Sequence, residues 1–189
     1  MDIKKLVANQ RTYFSSHQTF DVPYRIKMLK KLYGAIKHHE QDIYHALKTD
    51  LGKSETESYM CEIGMTLSEL SYQIKHIKKW SKWKAVPTGL ANFHAKSFTI
   101  PEPYGCVLVM APWNYPFMLS MEPMIGAVAA GNCCVVKPSA YSPATSSILK
   151  LIAIYNISLM LLICIREAVF FLRYFSRNHA PFIYMQPQS

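Results

Sequence analysis

The sequence lacks the residue patterns that mark metal centres, dithiol redox sites and the usual dinucleotide fingerprint. Its five cysteines include no C-x-x-C pair, and its seven glycines form no G-x-G-x-x-G. The missing cysteine spacing argues against a zinc or redox site, so no metal is predicted. The missing glycine pattern argues against a pyrophosphate cradle of the usual Rossmann kind.

The sequence also has no apolar run that reaches the roughly 20 residues needed to span a bilayer. The longest run, 151–165, contains fifteen residues and is interrupted by Asn156 and Ser158. The opening residues, M-D-I-K-K-L-V-A-N-Q, are polar and amphipathic and do not resemble a secretory signal. Together with the unpaired cysteines, these features predict a cytoplasmic protein.

The formal charge of +9 is unevenly distributed along the chain. Residues 151–189 contain no lysine, aspartate or glycine, whereas residues 1–150 hold every lysine. Nucleic-acid binding would require a focused basic stripe with aromatic platforms. The nearest candidate, 75–84, has lysines at helical spacing around Trp80 and Trp83, which predicts a solvated helix face with the tryptophans packed inward. No nucleic-acid partner is therefore predicted.

Residues 1–85 are predicted to be helical, because their apolar residues recur at helical spacing. One helix is expected at 2–16 and a second from Pro23, after Asp21 as a cap, with a break near 38–40 and an end at Gly52. A third is expected to begin at the capping pattern S-E-T-E, 54–57, and to reach about Trp83. Residues 86–104 are predicted to be extended, with a hairpin piece at 93–101.

Residues 105–150 predict a β-α-β unit. Val107–Met110 and Cys133–Val136 are apolar without alternation, as in a parallel sheet covered on both faces. A helix at 117–130 lies between them, and another is expected after Ser142 as its N-cap. The predicted fold class is α/β, with N-terminal helices followed by an incomplete Rossmann-like β-α-β unit. A remnant of two strands would be marginal in water and prone to aggregate.

Three sequence blocks carry a resemblance to a known family. They are P-Y-G-C-V-L-V-M-A-P-W-N-Y-P at 103–116, P-M-I-G-A-V-A-A-G-N at 123–132 and V-V-K-P-S at 135–139. In this order and spacing they closely resemble the aldehyde dehydrogenase superfamily. T-D-L-G-K-S at 49–54 and E-I-G at 62–64 resemble its class-three branch. The resemblance covers about residues 1–150, the N-terminal part of a coenzyme-binding domain.

The resemblance implies an oxidoreductase in which the complete enzyme oxidises an aldehyde to a carboxylic acid with NAD or NADP, as a homodimer. An asparagine amide can donate to a developing oxyanion, although spacing alone favours a turn residue at Asn114. The resemblance assigns the oxyanion role to Asn114 and places Trp113 at the nicotinamide end. It also assigns cofactor contacts to Asn114, Lys137 and Ser139. Where the family often has glutamate this chain has Ala140, so the choice between NAD and NADP stays open.

The downstream motifs that supply the nucleophile and the base, of the G-Q-x-C and E-L-G-G type, do not occur in these 189 residues. Cys133 and Cys134 lie in an apolar strand without a neighbouring base and are predicted to be core residues. The chain is therefore expected to show no turnover. The alternative is a non-catalytic module that binds a nucleotide or another chain.

The segment 151–189 does not resemble the family, and three interpretations of it remain open. It is a frameshifted or mis-terminated end, a membrane-associating end at 151–172, or an ordinary helix of an unfamiliar domain. The simultaneous loss of lysine, aspartate, glycine and family resemblance favours the first interpretation. The predicted domains are therefore 1–150 and a non-family tail at 151–189.

Overall fold

The computed structural model describes residues 3–156, 161–163 and 182–184. Seven α-helices lie in this part of the chain: α1 Ile3–Ser15, α2 Val22–His38, α3 Glu40–Leu51, α4 Glu55–Ser58, α5 Gly64–Trp80, α6 Met118–Ala129 and α7 Pro143–Asn156. A π-helical segment, Tyr59–Ile63, joins α4 to α5, and short 3₁₀ turns occupy Gln18–Phe20 and Leu90–Asn92.

The helix boundaries follow the local signals that the sequence carries. The Asp21 side chain accepts from the Tyr24 N–H at the start of α2, and Gly52 ends α3 with a left-handed φ of 69°. Ser54 caps α4 by accepting from the Glu57 N–H. The predicted break near 38–40 is confirmed, because α2 ends at His38 and α3 begins at Glu40. The last N-terminal helix ends at Trp80, three residues earlier than predicted.

The strands form two separate sheets. Strands β1, Lys84–Val86, and β2, Ser97–Thr99, pair antiparallel as a small hairpin. The main sheet contains β3, Cys106–Met110, β4, Cys133–Lys137, β5, Leu161–Ile163, and β6, Phe182–Tyr184, in the order β5-β4-β3-β6. All its pairs are parallel, which confirms the predicted α/β class.

The segment after residue 150 contributes to this sheet, contrary to the expectation of two strands alone. β5 pairs with β4, and β6 pairs with β3, so β3 and β4 each have neighbours on both sides. The apolar run 151–165 is not one helix, since α7 ends at Asn156 and Leu161–Ile163 is a strand. Among the described residues, no helix has the length and apolar character needed to cross a bilayer. The rest of the predicted tail lies outside the described residues.

The core lies between the helical layer and the main sheet. Fully buried side chains from α2, α3, α5, α6 and α7 meet those of β3 and β4; they include Leu29, Leu47, Leu70, Ile125, Leu149, Val109 and Cys134. The inward packing predicted for the two tryptophans is wrong, because Trp80 is 42% exposed and Trp83 is 64% exposed. Trp80 stacks instead on His76 along the outer face of α5, and Trp83 contacts Phe98 of the hairpin.

Candidate active site at the strand ends

The polar motifs of the β-α-β unit lie at the carboxyl ends of two adjacent parallel strands. Met110, the last residue of β3, is in register with Lys137, the last residue of β4. The Ala111 N–H donates to the Lys137 carbonyl oxygen at 3.1 Å, which extends the pairing by one residue. The loop Ala111–Pro116 and the turn 138–142 therefore leave the sheet side by side, where open α/β sheets bind ligands.

Asn114 stands in the middle of the Ala111–Pro116 loop and is half-buried. Its Oδ1 atom is buried and has no hydrogen-bond partner among the described residues. A buried polar atom without a partner is unusual and needs an explanation, of which a ligand site is one. The neighbouring Trp113 is 46% exposed, so its indole is available to a ligand at the loop surface.

Two charged residues of the helical layer, Lys53 and Glu62, hold the loop in place. The Lys53 ammonium lies 2.5 Å from Oε1 of Glu62, and Glu62 is fully buried. The same ammonium donates to the Asn114 carbonyl oxygen at 3.1 Å and lies 4.1 Å from the centre of the Tyr115 ring. Burial raises the pKa of the Glu62 carboxyl, while hydrogen bonding and the charge of Lys53, with two backbone N–H groups, oppose the rise.

Lys137 ends β4, Ser139 lies in the turn that follows it, and both are buried. The Lys137 ammonium donates to the Pro138 carbonyl oxygen at 3.2 Å, and the Ser139 hydroxyl accepts from the Tyr141 N–H at 3.2 Å. Ala140 is exposed at the tip of the turn. The Lys137 ammonium and the Ser139 hydroxyl, beside the Asn114 loop, are hydrogen-bond donors of the kind that bind the ribose or phosphate of a nucleotide.

The helix after this turn begins at Pro143, directly after Ser142, as the sequence predicts, but a different side chain caps its first amides. The expected N-cap, Ser142, donates its hydroxyl to the Ser139 carbonyl oxygen instead. The amides of the first turn of α7 are satisfied by Asp50 of α3, which accepts from the Ala144 and Thr145 N–H groups and from the Thr145 hydroxyl. A carboxylate that is distant in sequence therefore caps the helix in place of the local Ser142 side chain, which spacing alone could not predict.

The two strand cysteines have the environment predicted for core residues. Cys133 and Cys134 are completely buried in β4. Burial is the main cause that raises the pKa of Cys133 to about 12, and the same cause raises the pKa of Cys134 well above its ordinary value. A thiol that stays protonated at neutral pH is a poor nucleophile. The described residues also include no group of three or more metal-binding side chains.

Similarity to known proteins agrees with this arrangement. The profile of the aldehyde dehydrogenase family matches residues 1–156, and the chain belongs to that family. The 4,4'-diaponeurosporen-aldehyde dehydrogenase of Staphylococcus aureus is 46% identical over 148 residues, which are 78% of this chain and 32% of that enzyme. The dimeric NADP-preferring aldehyde dehydrogenase of Canis lupus familiaris is 37% identical over 150 residues, 79% of this chain and 33% of that enzyme.

The solved structures give the same fold over a larger part of the chain. The substrate-bound Staphylococcus aureus AldH superposes with a TM-score of 0.88 at 35% identity, over 97% of this chain and 46% of that one. The chain thus spans about a third of the length of the curated relatives it matches, and the matched part is their N-terminal portion.

Three residues that contact the site were not singled out by sequence reasoning. Asp50 and Lys53 lie in the block T-D-L-G-K-S, and Glu62 lies in E-I-G. Both blocks carry the resemblance, yet neither has local features that distinguish a site residue from an exposed helix residue. Their partners in the loops and helices of the β-α-β unit are 55–95 positions away in the chain, so spacing could not pair them.

Proposed function

We propose that this chain is the N-terminal portion of the coenzyme-binding domain of an NAD(P)-dependent aldehyde dehydrogenase. The observation that carries the proposal is the position of W-N-Y-P and K-P-S, which lie at the carboxyl ends of two adjacent parallel strands. Family membership over residues 1–156 supports the same activity for the complete enzyme. Enzymes of the family use NAD or NADP. For the complete enzyme the resemblance implies oxidation of an aldehyde to a carboxylic acid.

In this proposal the residues at the strand ends have separate roles. Asn114 donates its amide N–H to the oxyanion that develops on the aldehyde carbon. Trp113, which is half-exposed, forms one wall beside the nicotinamide. Lys137 and Ser139 hold the ribose hydroxyls or a phosphate of the coenzyme. The bound NAD or NADP supplies the hydride acceptor.

The 189-residue chain lacks the sequence motifs for the nucleophilic cysteine and for the glutamate that activates water, so we expect no turnover from it. Cys133 and Cys134 are excluded as substitutes by their burial. For the complete enzyme we also propose the homodimer that the resemblance implies and the cytoplasmic location that the sequence predicts.

The experiment that tests the proposal is titration of the full chain with NAD and NADP, followed by calorimetry and, in a Trp80→Phe, Trp83→Phe background, by Trp113 fluorescence. Lys137→Ala should weaken binding by about 1–3 kcal/mol, the size of a lost charge-assisted hydrogen bond. Ala140→Glu should weaken NADP more than NAD, since a carboxylate there repels a 2′-phosphate. Lys96→Ala, an exposed lysine of the hairpin region, is the matched control and should change neither affinity.

Two results would count against the proposal. Equal effects of Ala140→Glu on both coenzymes would show that position 140 does not face the ribose. Steady reduction of coenzyme by the chain with an aldehyde, abolished by Cys133→Ser, would show that the strand cysteines are catalytic after all.

A further inference from the structure

We infer that the buried pair Lys53 and Glu62 positions the Asn114 amide by fixing the middle and the C-terminal end of the Ala111–Pro116 loop. The functional meaning of this positioning rests on the proposed oxyanion role of Asn114. The contacts that carry it are independent of any coenzyme. Both residues are positioning residues, since they act through the loop.

Glu62 fixes the C-terminal end of the loop. Its Oε2 atom accepts the Phe117 N–H at 2.8 Å and the Met118 N–H at 3.2 Å, at the start of α6. These are amide groups that a helix leaves without internal partners, and a carboxylate there also complements the helix dipole. Because Glu62 is fully buried, the first turn of α6 has a fixed position relative to the helical layer.

Lys53 fixes the middle of the loop. Its ammonium donates to the Asn114 carbonyl oxygen at 3.1 Å and lies 4.1 Å from the centre of the Tyr115 ring. The ammonium also donates to Oε1 of Glu62 at 2.5 Å, so one cation joins the loop to the carboxylate that caps α6. The backbone of Asn114 is therefore held directly, and the backbone that follows Pro116 is held through Glu62.

The backbone around Glu62 is unusual in a way that fits this role. Glu62 lies in the π-helical segment Tyr59–Ile63, and such segments cluster at functional sites. The wider turn requires Gly64, because a Cβ atom there would lie 2.8 Å from the Tyr59 carbonyl oxygen. A buried ion pair is weak evidence for stability, because hydrophobic residues often replace one without loss. The π-helical turn and the buried ion pair together indicate that these residues position the loop.

The test observes the loop itself in the full chain. The chain has three tryptophans, so a Trp80→Phe, Trp83→Phe background leaves Trp113 as the only indole. In ¹⁵N-labelled protein, the Trp113 indole N–H and the Asn114 side-chain amide, assigned by its loss in Asn114→Ala, report on the loop. Lys53→Met and Glu62→Gln should each shift and broaden both resonances, while far-ultraviolet circular dichroism stays unchanged.

The matched control is Asp50→Asn. Asp50 also reaches from the helical layer to the first turn of a helix, but its partners are in α7 and none is in the loop. It should lower stability without moving the Trp113 or Asn114 resonances. A purely structural role of the Lys53–Glu62 pair would give the same pattern as this control.

Unchanged resonances in folded Lys53→Met and Glu62→Gln would overturn the inference. Should the single variants fail to fold because each leaves one unpaired buried group, the double variant Lys53→Met, Glu62→Met removes both charges. It should fold with displaced loop resonances, and native resonances in it would equally overturn the inference. Displaced resonances in a chain that binds neither NAD nor NADP would leave the positioning role standing and remove the proposed function.

Discussion

Replacement of Asp50 tests how the helical layer supports the turn after β4. Its carboxylate accepts three hydrogen bonds: the Ala144 N–H at 3.1 Å, the Thr145 N–H at 2.7 Å and the Thr145 hydroxyl at 2.7 Å. Thr145 is fully buried and Asp50 is partly buried. In Asp50→Ala the Thr145 amide and hydroxyl both lose their partner within the protein.

The magnitude follows from these contacts. Loss of an N-cap side chain costs about 1 kcal/mol, and leaving a buried polar group unsatisfied costs about 1–3 kcal/mol. Since water can reach the vacated, partly exposed Asp50 position, we expect a total of about 2–4 kcal/mol for Asp50→Ala. Asp50→Asn keeps one acceptor oxygen but loses the charge at a helix N-terminus, so about 1–2 kcal/mol is expected.

The assay is urea unfolding followed by circular dichroism, with the midpoint and slope fitted for each variant. Asp42→Ala is the control, because Asp42 is on the same helix, is 62% exposed and pairs only at the surface with His39 among the described contacts. It should cost less than about 1 kcal/mol. If Asp50→Ala were no more destabilising than Asp42→Ala, the carboxylate would not be the effective cap of α7 and this reasoning would be wrong.

Two further predictions concern the backbone and the thiols. Gly131→Ala should lower the free energy of unfolding by about 1–3 kcal/mol, because its φ is 93° and a Cβ would lie 2.9 Å from Cζ of Arg25. The control is Gly34→Ala on α2, where a Cβ would enter open space, and it should not destabilise the protein in the same urea assay. Burial raises the pKa of Cys106 to about 11 and that of Cys133 to about 12. Both pKa values exceed the unfolded value of 9.0. The contribution of the two thiols to stability should therefore be complete below pH 9 and fall as the pH rises towards 11–12. The double variant Cys106→Ala, Cys133→Ala should flatten that fall. At neutral pH, mass spectrometry should find Cys61 alkylated by iodoacetamide before either; faster modification of Cys133 would contradict the assigned burial.

The regular elements could be predicted because their signals are local. The apolar runs of β3 and β4, the left-handed Gly52 and the Asp21 and Ser54 caps each need only a few neighbouring residues. The prediction that Trp80 and Trp83 pack inward was wrong because it relied on such local signals alone. Helical periodicity gives the faces of a helix, but which face meets the core is decided by the elements that pack against it. Here α5 packs Leu67, Leu70 and Ile77 inward and leaves Trp80 outside.

The candidate site could be predicted only where a motif is contiguous. W-N-Y-P and K-P-S are short blocks at predicted strand ends, and parallel pairing brings such ends together. The residues that support the site come from α3, from the turn that follows it and from the π-helical segment, 55 or more positions away from what they hold. No periodicity encodes those contacts. The number of strands was not predicted either, because β5 and β6 lie in a segment whose composition differs from that of the rest of the chain.

The two loops at the strand ends are supported in the same way, by residues that precede the β-α-β unit in the chain. Glu62 caps α6, the helix after the Asn114 loop, and Asp50 caps α7, the helix after the Lys137 turn. Both carboxylates belong to the N-terminal helical region, outside the β-α-β unit. The isolated segment 103–156 would retain every motif of the candidate site but would lack both caps. The helical layer is therefore part of the site's construction, and mutations in T-D-L-G-K-S and E-I-G should affect the loops without touching them in sequence.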